Sequence, residues 1–126
     1  MRVVDTSAWF EWILGSETGE SAADELPPDD QWVVPTIVQY ELARWLSREM
    51  SAALAASTIA FSTELVVRFL DTEVATKAVD YANRYGLAMA DSIIYATAID
   101  AGADLLTCDA HFAELPQVVY FAKGAR

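Results

Sequence analysis

The sequence predicts an α/β fold with three layers, in which helices cover both faces of a central, mostly parallel β-sheet. Short apolar runs without polar alternation recur along the chain, as expected for strands buried on both faces. Segments with helical periodicity separate these runs, and this alternation is typical of parallel sheets. The 126 residues, 54% of them hydrophobic and 21% charged, are expected to form one domain over residues 1–126.

The first quarter of the chain predicts a strand, a helix and a surface turn. An apolar strand is expected over residues 2–4. A helix follows and reaches Ile13, and either Thr6 or Ser7 can cap its amino terminus. Residues 17–31 include a glycine, two prolines and two adjacent aspartates, so a helix end and a surface turn are expected there.

A second strand and a long helix are predicted next. Residues 32–34 are apolar, and Pro35 ends this strand. The helix is expected over residues 36–50. It begins with a capping-box pattern, because Gln39 stands three residues after Thr36.

The rest of the chain continues the alternation. Gly86 and Gly102 follow two of its helices, where a left-handed residue commonly ends a helix. We expect helices over residues 51–63, 72–85 and 91–101, and strands over residues 66–70, 104–107 and 118–121. Sheets of this kind bind ligands at the carboxyl ends of their strands, near the point where the strand order reverses. Residues that follow the strands are therefore the first candidates for function.

Charge and composition exclude several classes of protein. The chain has 8 basic and 19 acidic residues, a net charge of −11, which by itself argues against a nucleic-acid binder. Its single cysteine, Cys108, excludes an internal disulfide framework and a cysteine-rich zinc site. No apolar run approaches the ~20 residues of a membrane-spanning helix. The first residues lack the apolar segment of a signal peptide, so we expect a soluble, cytoplasmic protein.

Four carboxylates are predicted to face one edge of the sheet. Asp5 directly follows the first strand, and Asp109 follows the strand over residues 104–107. Asp91 lies in the first turn of its helix, and Glu41 lies in the second turn of the helix after the second strand. Each position also has a structural explanation, because acids are favoured in first turns and after strands. Apolar neighbours nevertheless make an unpaired carboxylate costly at these positions.

A hard divalent cation would offset the repulsion among these four carboxylates, whose pKa values otherwise rise. Because every candidate ligand atom is an oxygen, Mg²⁺ is favoured over zinc, and Mn²⁺ is also possible. Such a site suits phosphoryl transfer, in which a metal ion activates water and neutralises phosphate oxygens.

Other side chains near these acids have two interpretations each. Arg44 and Arg48 share a helical stripe with Glu41, which fits phosphate contacts or, alternatively, an Arg44–Glu41 ion pair on a solvated face. His111 is either a general acid or base beside the site or a surface loop residue. Trp9 and Trp12 either line a groove for a partner helix or a base, or they pack in the core.

Four segments carry a recognisable set of motifs. They are Val-Val-Asp-Thr-Ser-Ala over residues 3–8, Gln-Tyr-Glu-Leu over residues 39–42, Leu-Ala-Met-Ala-Asp-Ser-Ile-Ile-Tyr-Ala-Thr-Ala over residues 87–98, and Leu-Leu-Thr-Cys-Asp-Ala-His-Phe over residues 105–112. At these residues the chain resembles the PIN domain family, specifically the VapC-type toxin ribonucleases of type II toxin–antitoxin pairs. The resemblance covers nearly the whole chain, and four motifs in this order are more specific than any one.

The resemblance implies a flavodoxin-like α/β/α fold and a Mg²⁺-dependent endoribonuclease that hydrolyses RNA phosphodiester bonds with metal-activated water. It also implies a homodimer inhibited by a small cognate antitoxin protein. The residues that match the family's metal site are Asp5, Glu41, Asp91 and Asp109, with supporting hydroxyl groups on Ser7 and Thr107. Among them we expect Asp5 and Asp91 to be direct ligands, while Glu41 and Asp109 orient water or hold a second ion. Arg44 and Arg48 are the candidates for RNA phosphate contacts.

Two other functions remain open at the level of sequence. One is a PIN domain that is not a toxin, and that either processes RNA as a nuclease or is inactive and only binds a partner. The other is a receiver-like signalling module that binds Mg²⁺ and accepts phosphate on an aspartate. Receivers carry an acidic pair after the first strand, whereas Asp5 stands alone there, and Lys123 comes only after the last strand.

Overall fold

The computed structural model describes residues 1–124, so the last two residues of the predicted domain lie outside the described part. The strands are β1 (Arg2–Val4), β2 (Trp32–Pro35), β3 (Val66–Arg68), β4 (Asp104–Thr107) and β5 (Val118–Tyr120). The helices are α1 (Thr6–Leu14), α2 (Glu17–Ala23), α3 (Thr36–Glu49), α4 (Ala52–Thr63), α5 (Thr72–Tyr85) and α6 (Met89–Asp100). Short 3₁₀ turns span Asp29–Gln31 and Ala110–Phe112.

All strand pairs are parallel, and their order across the sheet is β3-β2-β1-β4-β5. This confirms the predicted α/β class with a central parallel sheet. The chain leaves β1 toward β2 but leaves β4 toward β5, so the order reverses between β1 and β4. A reversal of this kind opens a crevice at the carboxyl ends of the two central strands.

The helices form a layer on each face of the sheet. Parallel crossovers are right-handed, which puts α1 to α4 on one face and α5 with α6 on the other. The contacts agree, because α1 packs on α2 and α3, α3 packs on α4, and α5 packs on α6. Helices α3 and α6 also touch each other, which brings the two layers together around the sheet edge.

The centre of the sheet is entirely apolar because both of its faces are covered. Fully buried side chains come from β1, β2 and β4, namely Val3, Val4, Val33, Val34, Leu105 and Leu106. Leu42 and Leu46 of α3 pack against them from one layer, and Ile94 of α6 belongs to the same core. Each such side chain contributes about 1.5–3 kcal/mol by its burial. This core holds β1 and β4 rigidly beside each other.

Helix α2 was missed by the sequence analysis, which expected only a helix end and a turn in this region. The Ser16 side chain accepts a hydrogen bond from the Gly19 amide at 2.9 Å and so caps this helix. Gly19 is there for close packing and not for a turn, because a Cβ atom at this position would lie 2.1 Å from the Glu11 carbonyl oxygen. Tertiary contact thus explains a glycine that had suggested irregular structure.

Two predicted helix caps are wrong. Helix α1 has Asp5 at its N-cap without a side-chain cap, because the hydroxyls of Thr6 and Ser7 bond to carboxylates instead. Helix α3 follows Pro35 without a side-chain cap, and Gln39 donates to Ser62 of α4 at 3.0 Å. In both helices a tertiary partner took the polar group that local spacing had assigned to capping.

Strand β3 is shorter than predicted, and helix α6 begins earlier. The last residue of β2, Pro35, pairs with Arg68, so the residues after Arg68 have no neighbouring strand. Phe69 is consequently 77% exposed. Helix α6 starts at Met89, two residues before the predicted start. None of the helices within residues 1–124 combines the length and the apolar character needed to cross a bilayer.

Candidate active site

A cavity of about 230 Å³ opens at the carboxyl ends of β1 and β4, where the strand order reverses. The four predicted carboxylates come from four separate segments, and all of them line it. The lining residues are Asp5, Thr6, Ser7, Phe10, Glu11, Glu41, Asp91, Asp109 and Lys123. The fold therefore brings together all four acids that the strand ends and helix starts had indicated.

Asp5 lies at the bottom of this site and is only 3% exposed. Its amide donates to the Leu106 carbonyl oxygen at 2.8 Å, which extends the pairing of β1 with β4 by one residue. Its Oδ2 atom accepts hydrogen bonds from Ser7 Oγ at 2.6 Å and from Thr107 Oγ1 at 2.9 Å. Burial raises the pKa of Asp5 from 3.8 to about 6, against the effect of these two hydrogen bonds. The charges of Asp91 and Asp109 contribute to this rise in the pKa, after burial.

Ser7 and Thr107 join the first helix to the loop after β4. Their hydroxyl oxygens lie 3.3 Å apart. Ser7 Oγ accepts from the Cys108 amide at 3.0 Å, and Thr107 Oγ1 accepts from the Asp109 amide at 3.0 Å. Because each hydroxyl donates to Asp5 while it accepts from the loop, the pair fixes both the buried carboxylate and the start of the Asp109 segment.

Glu41 reaches the cavity from the second turn of α3. Its Oε1 atom accepts a hydrogen bond from Thr6 Oγ1 at 2.7 Å, which ties α3 to the first turn of α1. The alternative ion pair with Arg44 does not form within residues 1–124, where Arg44 has no ion-pair partner. Thr6 therefore has the positioning contact with Glu41 that sequence spacing had suggested for an arginine.

Asp91, Asp109 and His111 form a compact group at the mouth of the cavity. His111 Nδ1 lies 3.3 Å from Asp109 Oδ1 and 3.7 Å from Asp91 Oδ2. Partial burial is the main cause that raises the pKa of Asp91, and the charge of Asp109 adds to it. The prediction of an exposed loop for His111 is correct, since its side chain is 76% exposed. Its ring nonetheless faces both carboxylates.

The donor atoms of this group suit one divalent cation. One ligand atom from each of Asp91, Asp109 and His111 can be chosen so that all lie within 4.8 Å of one another. In an octahedral shell of ~2.1 Å radius, adjacent donors lie about 3 Å apart and opposite donors about 4.2 Å apart. The distances of 3.3 and 3.7 Å at His111 Nδ1 are close to the adjacent spacing. The residues present therefore fit a possible metal-binding site that is mainly acidic.

A second cavity of about 180 Å³ adjoins the first on the side of α3. The two cavities share Thr6, Phe10 and Glu41. The second is completed by Arg44, Trp45 and Arg48. The rings of Phe10 and Trp45 contact each other with centroids 4.6 Å apart. Both predicted arginines thus lie beside the carboxylates, outside the acidic cavity itself.

Four residues of the acidic cavity were not singled out from the sequence as parts of the site: Thr6, Phe10, Glu11 and Lys123. Glu11 lies four residues after Ser7, on the same face of α1, and this spacing could have indicated it. Lys123 follows β5, whose carboxyl end lies at the same sheet edge as those of β1 and β4, so the strand-end argument applied to it as well. For Thr6 the local sequence carried no signal beyond that of a helix cap.

The remaining candidates have structural positions. Trp9 is fully buried in the core, as one of its two interpretations proposed, while Trp12 is half-buried and lines an apolar cavity of about 190 Å³ with Ile13 and Phe61. Cys108 is buried, and its surroundings raise the pKa of the thiol to about 11, which keeps it from being a nucleophile.

Comparison with known proteins gives one family. The model of the PIN domain matches residues 2–118. A toxin–antitoxin complex from Klebsiella pneumoniae contains a chain of the same fold, with 22% identity, a TM-score of 0.80, and coverage of 94% of this chain and 96% of that chain. VapC20 of Mycobacterium tuberculosis, a sarcin–ricin loop cleaving toxin, has 21% identity and a TM-score of 0.74, with coverage of 94% of this chain and 97% of that chain. FitAcB from Neisseria gonorrhoeae has 18% identity and a TM-score of 0.72, with coverage of 96% of both chains. No curated protein matches the sequence.

Proposed function

The chain belongs to the PIN domain family of nucleases, and from this premise we propose that it is a metal-dependent endoribonuclease and the toxin of a type II toxin–antitoxin pair. The observation that carries the nuclease assignment is the buried carboxylate of Asp5 beside Asp91 and Asp109. No basic side chain within residues 1–124 forms an ion pair with Asp5. Among the described residues that line the cavity only Lys123 is basic, against five acidic ones, and a divalent cation would offset the negative charge that remains.

A bound divalent ion would activate water and neutralise the phosphate oxygens of the RNA. We assign Asp5 and Asp91 as its direct ligands and Glu41 as an acid that orients water, while Asp109, which lies with Asp91 and His111, orients water or holds a second ion. Ser7 and Thr107 hold the Asp5 carboxylate in place through the hydrogen bonds to its Oδ2 atom.

His111 bears on the identity of the ion. It adds an imidazole nitrogen to a set of carboxylate oxygens, and nitrogen donors bind transition metals better than they bind Mg²⁺. We therefore extend the predicted preference: the site accepts Mg²⁺ but binds Mn²⁺ more tightly. The structural group of Asp91, Asp109 and His111 supports this choice.

Substitution of the carboxylates tests the nuclease assignment. Asp5→Asn and Asp91→Asn are each expected to lower the rate of RNA cleavage at least ~100-fold, a loss in the range typical when a group that stabilises developing charge is removed. The measurement is end mapping of total RNA and of a sarcin–ricin loop oligonucleotide incubated with purified protein and Mn²⁺. Asp80→Asn is the matched control, because Asp80 is exposed on α5 and does not line the cavity. Cleavage that survives both site substitutions would overturn the assignment.

The toxin role is supported by the fold shared with chains of toxin–antitoxin complexes. We propose that a small antitoxin inhibits the protein, that a basic antitoxin segment enters the acidic cavity, and that the protein acts on cytoplasmic RNA as a homodimer. Expression of the chain without its antitoxin is expected to arrest growth, and coexpression with the cognate small antitoxin is expected to restore it. RNA cleavage in vitro without growth arrest would favour the processing nuclease.

The receiver-like alternative has no support in the fold. Receivers have the strand order 2-1-3-4-5. The order observed is 3-2-1-4-5, in which β1 and β4 are the central neighbours. Lys123 lies after β5, and Asp5 follows β1 as a single acid.

A further inference from the structure

Most basic side chains of this acidic protein already have partners. Arg2 pairs with Asp104 and Glu25, Arg48 with Glu49, Arg68 with Asp100, and Lys77 with Glu73 and Asp100, while Arg84 lies over the rings of Tyr81 and Tyr85. Among the side chains of residues 1–124, only Arg44 and Lys123 are basic and make no ion pair, hydrogen bond or aromatic contact.

Both unpaired cations border the candidate active site. Lys123 lines the acidic cavity itself, together with Asp5, Asp91 and Asp109. Arg44 lines the adjoining cavity, which shares Thr6 and Glu41 with the first. The sheet order puts them on opposite sides, because Arg44 lies on α3 after β2, whereas Lys123 follows β5 at the other edge. The carboxylates at the ends of β1 and β4 lie between them.

This arrangement matches the charge pattern of a nucleic-acid strand that crosses a metal site. The carboxylates repel phosphates until a cation is bound, so the attraction that holds the neighbouring phosphates has to come from side chains other than the carboxylates. Two unpaired cations on opposite sides provide it, and their small number fits a single strand held at a few phosphates. A duplex-binding protein normally presents a larger basic surface.

We propose that Lys123 and Arg44 bind phosphates on either side of the bond that is cut, so that a single RNA strand crosses the cavity from the α3 side to the end of β5. This proposal rests on the proposed nuclease function and names the binding residues and the path of its substrate. Lys123 and Arg44 act in binding, while the carboxylates act in the reaction.

The salt dependence of RNA binding tests the proposed path. Binding of a fluorescent single-stranded RNA is measured by anisotropy at several salt concentrations in proteins whose carboxylates are intact, with Ca²⁺ in place of Mn²⁺ and a denaturing gel that verifies that the RNA stays uncut. Lys123→Gln and Arg44→Gln are each expected to weaken binding several-fold and to reduce the slope of log K against log salt by about 0.7, the value for one phosphate contact on a single strand. The double variant should lose about twice that slope.

Lys77→Gln is the matched control, because Lys77 is half-exposed and pairs with Glu73 and Asp100 away from the cavity. Its slope is expected to stay unchanged. Slopes that are the same in Lys123→Gln, Arg44→Gln and Lys77→Gln would overturn the path, even if the wild-type protein cleaves RNA. Conversely, slopes that fall as expected while the wild-type protein cleaves no RNA would retain the path and reject the nuclease function, so the two failures are distinguishable.

Discussion

Asp5 concentrates the chemistry of the site in one side chain. It is 3% exposed, its two hydrogen bonds come from neutral hydroxyls, and two other carboxylates raise its pKa in addition to burial. The hydroxyls orient the carboxylate without neutralising it. The residue therefore destabilises the metal-free protein wherever it is ionised, and a bound cation reverses that effect.

The first prediction concerns the loss of stability that ionised Asp5 causes when no metal is bound. Because the pKa of Asp5 is about 6 in the folded state and 3.8 for an ordinary aspartate, the folded state keeps the proton to a higher pH than the unfolded state. Stability should consequently fall as the pH rises from about 4 to 6, by ~3 kcal/mol from this group, and stay low above that range. Asp5→Asn should remove this part of the pH dependence. Urea unfolding in EDTA at pH 4.5 and 7.5 measures it. An equally steep loss of stability in the wild type and in Asp5→Asn would contradict the prediction.

His111 leads to a prediction on metal preference. Its Nδ1 atom lies close to Asp91 and Asp109, so removal of the ring takes away one nitrogen donor and leaves the carboxylates. His111→Ala should weaken Mn²⁺ binding by about tenfold and change Mg²⁺ binding much less, since nitrogen ligands favour transition metals. Titration calorimetry and the electron paramagnetic resonance signal of free Mn²⁺ measure the two affinities. Glu114→Ala is an exposed control outside the cavity. An equal loss for both ions would argue against coordination by His111.

At the scale of elements, the helix and strand boundaries that depend on local pattern were predicted well. Apolar runs located all five strands, and Gly86 ends α5 with a positive φ of 68° as predicted. The wrong cap assignments at Thr6 and Gln39 share one physical cause, which is competition by a tertiary partner. The hydroxyl of Thr6 bonds to Glu41 and the amide of Gln39 bonds to Ser62, and neither partner is visible in the local sequence.

Helix α2 makes the same point through packing and leads to a prediction on stability. Gly19→Ala would put a methyl group 2.1 Å from the Glu11 carbonyl oxygen, so α2 has to move away from α1. We expect a loss of about 1–3 kcal/mol in the free energy of unfolding, the usual cost of overpacking. Urea denaturation of the metal-free protein measures this loss.

Ser21→Ala is the control for this experiment, because Ser21 is exposed on the same helix and the change improves helix propensity. Its effect should stay within ~0.5 kcal/mol. If Gly19→Ala were as stable as Ser21→Ala, the close approach of the two helices would not be a real constraint.

The positions of the site residues were predictable in part for a reason of topology. In a parallel sheet the carboxyl ends of all strands lie at the same edge. Because β1 and β4 are neighbours, Asp5 and Asp109, which follow them, have to lie near each other. The approach of α3 and α6 to that edge then brought Glu41 and Asp91. Contacts made by exposed, flexible side chains, such as those of Lys123 and His111, depend on loop conformation, which the strand pattern does not specify.

At the scale of the whole molecule, the net charge of −11 takes on a specific meaning. The acids of the site repel one another and repel RNA. The negative charge of the cavity therefore couples folding, metal binding and substrate binding. Basic residues that form ion pairs elsewhere, such as Arg2 with Asp104 and Glu25, hold the amino-terminal side of the sheet and do not affect the cavity. The negative charge that remains at the cavity is the part that a bound cation can neutralise.

This coupling predicts that a divalent ion stabilises the whole fold and that the effect depends on Asp5. At a hundredfold excess of free Mn²⁺ over its Kd, the free energy of unfolding should rise by about 2.7 kcal/mol. The rise should be present at pH 7.5, shrink below pH 6 as Asp5 is protonated, and largely disappear in Asp5→Asn. Thermal unfolding with Mn²⁺, with Mg²⁺ and with EDTA measures the shift in Tm, and Asp80→Asn provides the control for an unrelated exposed acid. A shift of equal size in Asp5→Asn would contradict the assignment of Asp5 as a direct ligand, because a site that loses a ligand carboxylate cannot keep its full affinity.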